Sequence, residues 1–328
     1  MTTRCTIEEM AGWLVGHDDF VILGHVNPDG DATGSTLGLW HALTALGKRA
    51  VVSLPGGVPK LYGFLPGADG VICGGEALPF APKTALAVDV SEIERLDAAG
   101  KALFEGCPER GVIDHHATNP GFGQVMLLDG AAAAAGELAV EVVGAMGLEL
   151  SREAAECLFV AISTDSGHFS YSSTRPRTMR AAEKCLPHID IDAVTTRLYR
   201  TRSLARIRLL GLVLAGLEIS EDGKIAWARL TQAMLDEAHA TAEDNEGIIN
   251  YLLEIEGVCF AILAQERGDV TKLSLRSRPP MDVAADIAIP LGGGGHVCAA
   301  GATVDGPVER ALEKAVELAR AALTELPG

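Results

Sequence analysis

The stretch Phe20-Val-Ile-Leu-Gly24, then His25-Val-Asn-Pro28-Asp29-Gly30-Asp31, then the small and apolar run from Ala32 to Leu46, leaves few folds open. The first part reads as a short buried strand, the last as a helix, and the polar residues between them as a turn. One histidine and two aspartates are thereby crowded onto the turn that leaves a strand end. In open α/β sheets that edge is where ligands bind. Carboxylates so close repel one another, and a divalent cation between them is a fitting remedy. Pro-Asp-Gly is also an ordinary turn sequence, so the motif needs support from elsewhere in the chain.

That support comes from repetition. Strand patterns at Ala50–Leu54, Thr84–Val88, Gly111–Ile113 and Gln124–Leu128 alternate with helical patterns near 4–18, 94–105, 133–147 and 151–163. Alternation of this kind predicts βαβ units and a parallel sheet. Two of the strands stop on acids, Asp89 and Asp114, the latter followed by His115 and His116. A further acid, Asp165, lies at the end of the helical pattern after Ser151. Helices resume over 178–186, and 193–217 reads as one long helix carrying Arg197, Arg200, Arg202, Arg206 and Arg208. Beyond it the texture changes. Lys224–Leu230, Val258–Ala264 and Val270–Arg276 are strand-like, the last two joined by the turn Arg267-Gly268-Asp269, and Pro307–Leu323 closes as a helix. The expected organisation is an α/β catalytic domain over 1–190, a helical linker over 191–217 and a smaller α+β domain over 218–328.

Composition narrows the function. The 328 residues carry a formal net charge of -17, a poor match for long nucleic acids, which bind through many Lys and Arg contacts to phosphate. A small anionic substrate remains compatible, provided that metal ions and a few arginines meet its charge. The 7 cysteines are scattered singly with no Cys-x-x-Cys pair, against both a disulfide framework and a structural zinc site. The opening residues do not read as a signal peptide, and no stretch is apolar for long enough to span a bilayer. A cytoplasmic protein without a membrane partner is the expectation.

His25, Asp29, Asp31, Asp89, Asp114, His115, His116 and Asp165 form a mixed His/Asp set predicted to share one sheet edge. Without thiolates, such a set suits Mn²⁺, Mg²⁺ or similar ions. It has donors enough for two, the arrangement that drives phosphoester hydrolysis in two-metal sites. In the C-terminal part, Gly292-Gly-Gly-Gly295 can let successive backbone N–H groups cradle a phosphate, with His296 and Arg276 adding charge. Lys272, Arg276 and Arg278 form a basic run at strand period on which one face can turn to an anion.

Taken together, these motifs resemble the DHH/DHHA1 phosphoesterase superfamily. The resemblance is carried by His25-x-x-Pro28-Asp29-Gly30-Asp31-Ala32-x-Gly34-Ser35, Val88-Asp89, Asp114-His115-His116-Ala-x-Asn119 and Thr164-Asp165-Ser-Gly167-x-Phe169. In the C-terminal part it is carried by Ser274-Leu275-Arg276-Ser277, the glycine run with His296, and Ala299-Ala300-Gly301. It implies two domains with the site in the cleft between them and two divalent cations, Mn²⁺ first, with Mg²⁺ or Co²⁺ as substitutes. His25, Asp29 and Asp89 would hold one ion. Asp31, Asp89, His115 and Asp165 would hold the other. Asp114 would orient His115, and His116 would serve as general acid or charge stabiliser. Arg276, Ser277, Gly293, Gly294, Gly295 and His296 would grip the end of the substrate. Within the superfamily the chain is most similar to the NrnA-type oligoribonucleases and 3′-phosphoadenosine-5′-phosphate phosphatases, which implies short single-stranded RNA or a small nucleotide as substrate. Two alternatives stay open: a small-phosphate hydrolase of the family II pyrophosphatase or exopolyphosphatase kind, and a non-catalytic nucleotide sensor. Homodimerisation is left open as well.

Overall fold

A computed structural model describes residues 3–281 and 283–324, apart from the side chains of Glu243 and His296. The chain divides into two units, Met1–Thr201 and Arg202–Gly328. The division falls inside the segment expected to be a linker.

Among the described residues the first unit carries seven strands: β1 (Thr3–Arg4), β2 (Phe20–Leu23), β3 (Ala50–Leu54), β4 (Ile72–Cys73), β5 (Thr84–Val88), β6 (Glu109–Asp114) and β7 (Val125–Leu128). All pair in parallel, in the order β1-β7-β6-β5-β2-β3-β4. Its helices are α1 (Ile7–Gly16), α2 (Gly30–Ala45), α3 (Ala98–Gly106), α4 (Ala135–Ala145), α5 (Arg152–Asp165), α6 (Pro176–Cys185) and α7 (Ile191–Thr195). Strand side chains alternate between two cores, as the pleat requires. Phe20, Ile22, Leu86, Val88 and Ile113 pack with residues of α1, α2, α4 and α5. Val21, Leu23, Ala85, Ala87 and Val112 pack with Leu96, Phe104 and Cys107 on the other face. The chain winds one way from β2 through β3 to β4 and the other way from β5 through β6 to β7. The β2/β5 boundary is therefore the topological switch point, where the crevice outside the strand ends forms.

Helix α2 is buried over nearly its whole first three turns, and glycines make that possible. A Cβ on Gly34 would stand 2.4 Å from the Cys157 carbonyl oxygen, and one on Gly30 would stand 2.3 Å from Thr164 Oγ1. Both glycines face α5, so the N-terminus of α2 and the C-terminus of α5 approach closely. That approach brings Asp29 and Asp31 toward Asp165.

The second unit holds a six-stranded mixed sheet of β8 (Glu218–Ile219), β9 (Ile225–Leu230), β10 (Phe260–Arg267), β11 (Val270–Ser277), β12 (Gly294–His296) and β13 (Ala299–Asp305), in the order β12-β13-β11-β10-β9-β8. Only β9 and β10 run parallel. One face packs on α11 (Ala284–Ala288) and α12 (Val308–Thr324). The other packs on α8 (Leu204–Ala215), α9 (Gln232–Ala238) and α10 (Ile248–Leu253). The long helix expected over 193–217 is two helices. After α7 comes a π-helical turn, Thr196–Arg200, and the chain leaves the helix before Ser203, whose hydroxyl accepts from the Arg206 N–H at 3.0 Å and caps α8. Apolar periodicity runs straight across such a break, whereas the local capping bond competes with helix continuation.

Gly34→Ala is expected to lower stability by about 1–3 kcal/mol, because the added methyl overpacks the α2/α5 contact. Gly12→Ala, where a Cβ meets nothing within 4 Å, is expected to raise it by up to about 1 kcal/mol through helix propensity. Denaturant midpoints of the two variants against the parent check both signs.

Candidate metal centre

The site assembles at the C-terminal ends of β2, β5 and β6, on either side of the switch point. His25 follows β2. Asp29 caps α2, its Oδ1 accepting from the Asp31 and Ala32 N–H groups, each at 3.0 Å. Asp31 lies in the first turn of the same helix and is buried. Asp89 follows β5 in the left-handed region, φ 58, and its N–H is tied to the Ile113 carbonyl at 3.0 Å. Asn27 is left-handed as well, φ 54. Non-glycine residues hold such conformations at a cost, and they concentrate where function needs the side chain aimed. His115 and His116 follow β6, and Asp165 ends α5.

Among the described residues three donor sets form, each with one atom per residue within 4.8 Å of the others: His25, Asp29 and Asp89; Asp31, His115 and Asp165; and Asp89, His115 and His116. The first two sets are linked through Asp89, whose Oδ2 lies 3.5 Å from His25 Nε2 and whose Oδ1 lies 3.4 Å from His115 Nε2. His115 Nε2 is also 3.3 Å from Asp165 Oδ2 and 3.7 Å from Asp31 Oδ2. Each ring presents the same nitrogen inward, because the other is engaged. His25 Nδ1 donates to the Val26 carbonyl at 2.8 Å, and His115 Nδ1 makes a long bond of 3.4 Å to the Ala132 carbonyl.

Electrostatics points the same way. Burial alone would lower both imidazoles, but Asp29 and Asp89 carry His25 up to about 10, and Asp89 with Asp31 and Asp165 does the same for His115. Burial and the neighbouring carboxylates Asp89 and Asp165 push Asp31 well above the usual carboxylate range. Burial, only partly offset by His115, lifts Asp165 to about 6. Asp89 is held low because His115 and His25 outweigh its burial. Its buried Oδ1 accepts no hydrogen bond among the described residues. Crowded carboxylates, an unpartnered buried oxygen and two inward imidazole nitrogens are what a hard divalent cation requires, so the donor set fits the group.

Asp114 differs from expectation. It is fully buried, and its Oδ1 accepts from His116 Nδ1 at 2.8 Å while Oδ2 accepts from Asn119 Nδ2 at 2.6 Å. It orients His116, not His115, because consecutive residues leaving a strand point apart. Two partners escaped the sequence reading altogether. The N–H groups of Ala135 and Gly136, at the N-terminus of α4, donate to the two Asp31 oxygens at 2.6 and 2.9 Å. Backbone donors in an alanine run leave no side-chain signature.

In the second unit, Arg276 and Lys272 share the face of β11 opposite the core on which Leu273 and Leu275 lie. Ser277 does not join them. It is buried and donates to the Val297 carbonyl at 3.0 Å, since strand alternation turns it from Arg276. Arg278 is likewise spent, on the carbonyls of Val258 (2.8 Å) and Ile255 (3.2 Å). The glycine run is less of a loop than expected. Gly294 and Gly295 belong to edge strand β12, and a Cβ on Gly293 would collide with Gly301 and Ala302 of β13. The His296 side chain lies outside the described residues.

Against known proteins, residues 19–162 match the model of the DHH family, N-terminal domain, and residues 222–325 match the DHHA1 domain. A bifunctional oligoribonuclease and PAP phosphatase NrnA from Thermus thermophilus is 35% identical over 92% of this chain and 90% of its own length. The chain belongs to the DHH family. The protein of the same description from Bacillus subtilis is 25% identical over 88% of this chain and 90% of its own. An exopolyphosphatase-related protein from Bacteroides fragilis superposes with a TM-score of 0.89 at 28% identity, covering 96% of this chain and 95% of its own. Exonuclease RecJ bound to manganese shares the fold, with a TM-score of 0.52 at 17% identity over 98% of this chain and 95% of its own. DHH family members are metal-dependent phosphoesterases, and this chain is a hydrolase of that kind.

Asp165→Asn is expected to raise the thermal midpoint of the metal-free protein, because it removes one of several mutually repelling carboxylates. The expected gain is about 2–4 °C for each kcal/mol relieved. The order should invert with Mn²⁺ present, since only the parent keeps its full donor set. Melting curves with chelator and with Mn²⁺ read both; an unchanged metal-free midpoint would mean that the carboxylates do not strain the fold.

Proposed function

We propose that this protein hydrolyses short oligoribonucleotides to 5′-mononucleotides, and removes the 3′-phosphate of 3′-phosphoadenosine 5′-phosphate, at a pair of divalent cations held by the first unit. The observation that carries the reading is the position of Asp89 between two donor sets: it groups with His25 and Asp29, and its Oδ1 lies 3.4 Å from Nε2 of His115, which groups with Asp31 and Asp165. Relatives whose names state both activities align along most of the chain, which supports the substrate class.

When bound, such cations supply a nucleophilic water at neutral pH and offset the charge that builds on phosphorus. His25, Asp29 and Asp89 would hold one, and Asp31, Asp89, His115 and Asp165 the other, with Mn²⁺ favoured and Mg²⁺ or Co²⁺ as substitutes. His116 is held by Asp114 through Nδ1, which leaves Nε2 to give up a proton to the leaving oxygen. The same carboxylate raises the His116 pKa, so the ring keeps that proton to a higher pH than a free imidazole. Asn119 fixes Asp114 in turn. Arg276, with the backbone of Gly293–Gly295, is the proposed phosphate grip of the second unit; Ser277 supports it by holding the Val297 carbonyl.

The setting of the reaction follows from charge. A net charge of -17 suits a few phosphates met by local cations and arginine, and disfavours long strands. No helix among the described residues is long and apolar enough to cross a membrane, and a cytoplasmic location is proposed. A second reading, hydrolysis of inorganic phosphate chains, is favoured by the likeness to the exopolyphosphatase-related structure.

With Mn²⁺, the protein is expected to cleave a diribonucleotide and the bisphosphate nucleotide at least about tenfold faster than pyrophosphate or polyphosphate. Asp89→Ala should lower kcat by a factor on the order of 10³ or more, and chelator should abolish turnover until Mn²⁺ is returned. Product chromatography on the four substrates decides between the readings: faster cleavage of the inorganic chains favours the second, and turnover by Asp89→Ala at the parent rate removes both.

A further inference from the structure

The segment Asp129-Gly-Ala-Ala-Ala-Ala-Ala-Gly-Glu137 reads as a featureless alanine run. In the fold it does specific work on the metal centre. The Ala132 carbonyl meets His115 Nδ1, and the Ala135 and Gly136 N–H groups hold both oxygens of Asp31. Two proposed ligands are thus aimed by the backbone of one stretch whose alanines cannot hold its shape; only its end residues do so, Asp129 accepting from the Ala131 N–H at 3.0 Å and Glu137 from the Ala133 N–H at 3.2 Å. Its N-cap, Ala134, contributes no side-chain cap.

What holds the stretch comes from α6. Arg177 reaches Asp129 through Nη1 at the start of the stretch, and forks onto Glu141 in α4 through Nε (2.8 Å) and Nη2 (2.5 Å). Between them lies Glu137, fully buried in the first turn of α4. Its Oε2 accepts from the Ala133 N–H at 3.2 Å. Its Oε1 accepts no hydrogen bond among the described residues and lies 3.3 Å from Arg177 Nε. One guanidinium therefore serves three carboxylates at both ends of the stretch, and it is the cation paired with the buried Glu137. We propose that Arg177 is a positioning residue for the metal centre: it fixes the 129–137 backbone, which in turn orients Asp31 and His115.

The inference rests on reading Asp31 and His115 as cation ligands, and it makes a demand that general loss of stability does not. Of the two proposed cation sites, the one that uses Asp31, His115 and Asp165 has ligands held by this stretch; His25 and Asp29 of the other site are held by Val26 and by the first turn of α2. Without Arg177 a buried carboxylate is left uncompensated one residue from the Gly136 N–H, and the two helix-end donors lose their fixed aim. Partners that orient metal ligands in this way typically affect affinity by about 10- to 100-fold.

The test is titration of the metal-free full-length protein with Mn²⁺, free ion being read by electron paramagnetic resonance. Arg177→Met is expected to weaken one class of Mn²⁺ site by about 10- to 100-fold and to leave the other within about threefold. Arg177→Lys keeps the charge without the fork and should fall between. Equal weakening of both classes, or parent affinity in a variant whose only defect is a lower melting temperature, overturns the proposal. Should Arg177→Met fail to fold, Arg177→Lys and Asp129→Asn carry the same expectation in milder form, and parent affinity at both classes in these two overturns it equally. A parent protein that takes up no Mn²⁺ instead overturns the metal-centre reading, a result distinct from intact binding that ignores Arg177.

Discussion

Repulsion among like charges is the constraint around which the first unit is built. Asp29, Asp31, Asp89 and Asp165 are brought to one sheet edge, and water is excluded from two of them almost completely. Charges this close in a poorly polarisable interior repel by several kcal/mol unless each is individually answered. The fold answers them one at a time. Asp29 is met by two N–H groups of its own helix, and Asp31 by two from the start of α4. Asp89 is met by two imidazoles. Each answer uses only part of the carboxylate, and the remaining lone pairs converge. An arrangement that minimised repulsion would have turned them apart; this one holds them together and leaves the balance to a bound cation.

Holding them together needs rigidity, and the glycines of α2 provide it at the level of packing. Gly34 lets α2 lie directly on the α5 backbone, and Gly30 leaves room for the Thr164 side chain. The helix that carries Asp29 and Asp31 and the helix that ends on Asp165 then move as one body. Interiors packed to this density shift little without a large cost, so the spacing of the donors is inherited from the core. The left-handed backbone at Asn27 and Asp89 belongs to the same economy of placement: the chain leaves each strand at an angle that aims the next side chain across the switch point.

What could be read in the sequence, and what could not, divides along a physical line. Phe20–Leu23, Ala50–Leu54 and Thr84–Val88 are short apolar runs bounded by turn residues, so local pattern alone locates them. A polar residue at or just past a strand end is equally local, which is why His25, Asp29, Asp89 and His115 are legible as a group in the sequence. The failures are all non-local or directional. Ser277 and Arg276 are neighbours in sequence and opposites on the sheet, and a run of polar residues does not announce which of them the core claims. Asp114 sits beside both histidines in sequence, and only the φ and ψ of the strand exit decide which one it reaches. Arg177 is remote from every motif, and its partners matter through backbone groups that carry no residue identity.

The contrast between whole and part is also informative in the charge. An acidic molecule repels an anionic substrate at long range, since 44 acidic residues face 27 basic ones. Over a screening length of about 8 Å in physiological salt, however, a ligand responds to the groups beside it and little else. Arg276 and Lys272 on one face of β11, and any cation held at the converging carboxylates, are local exceptions of that kind. Attraction confined to a few such points gains little as a polyanion lengthens, because the molecule as a whole carries a net charge of -17. Under the proposed function, such a distribution of charge favours small anionic substrates, and the carboxylates that contribute to it are the ones that form the donor sets.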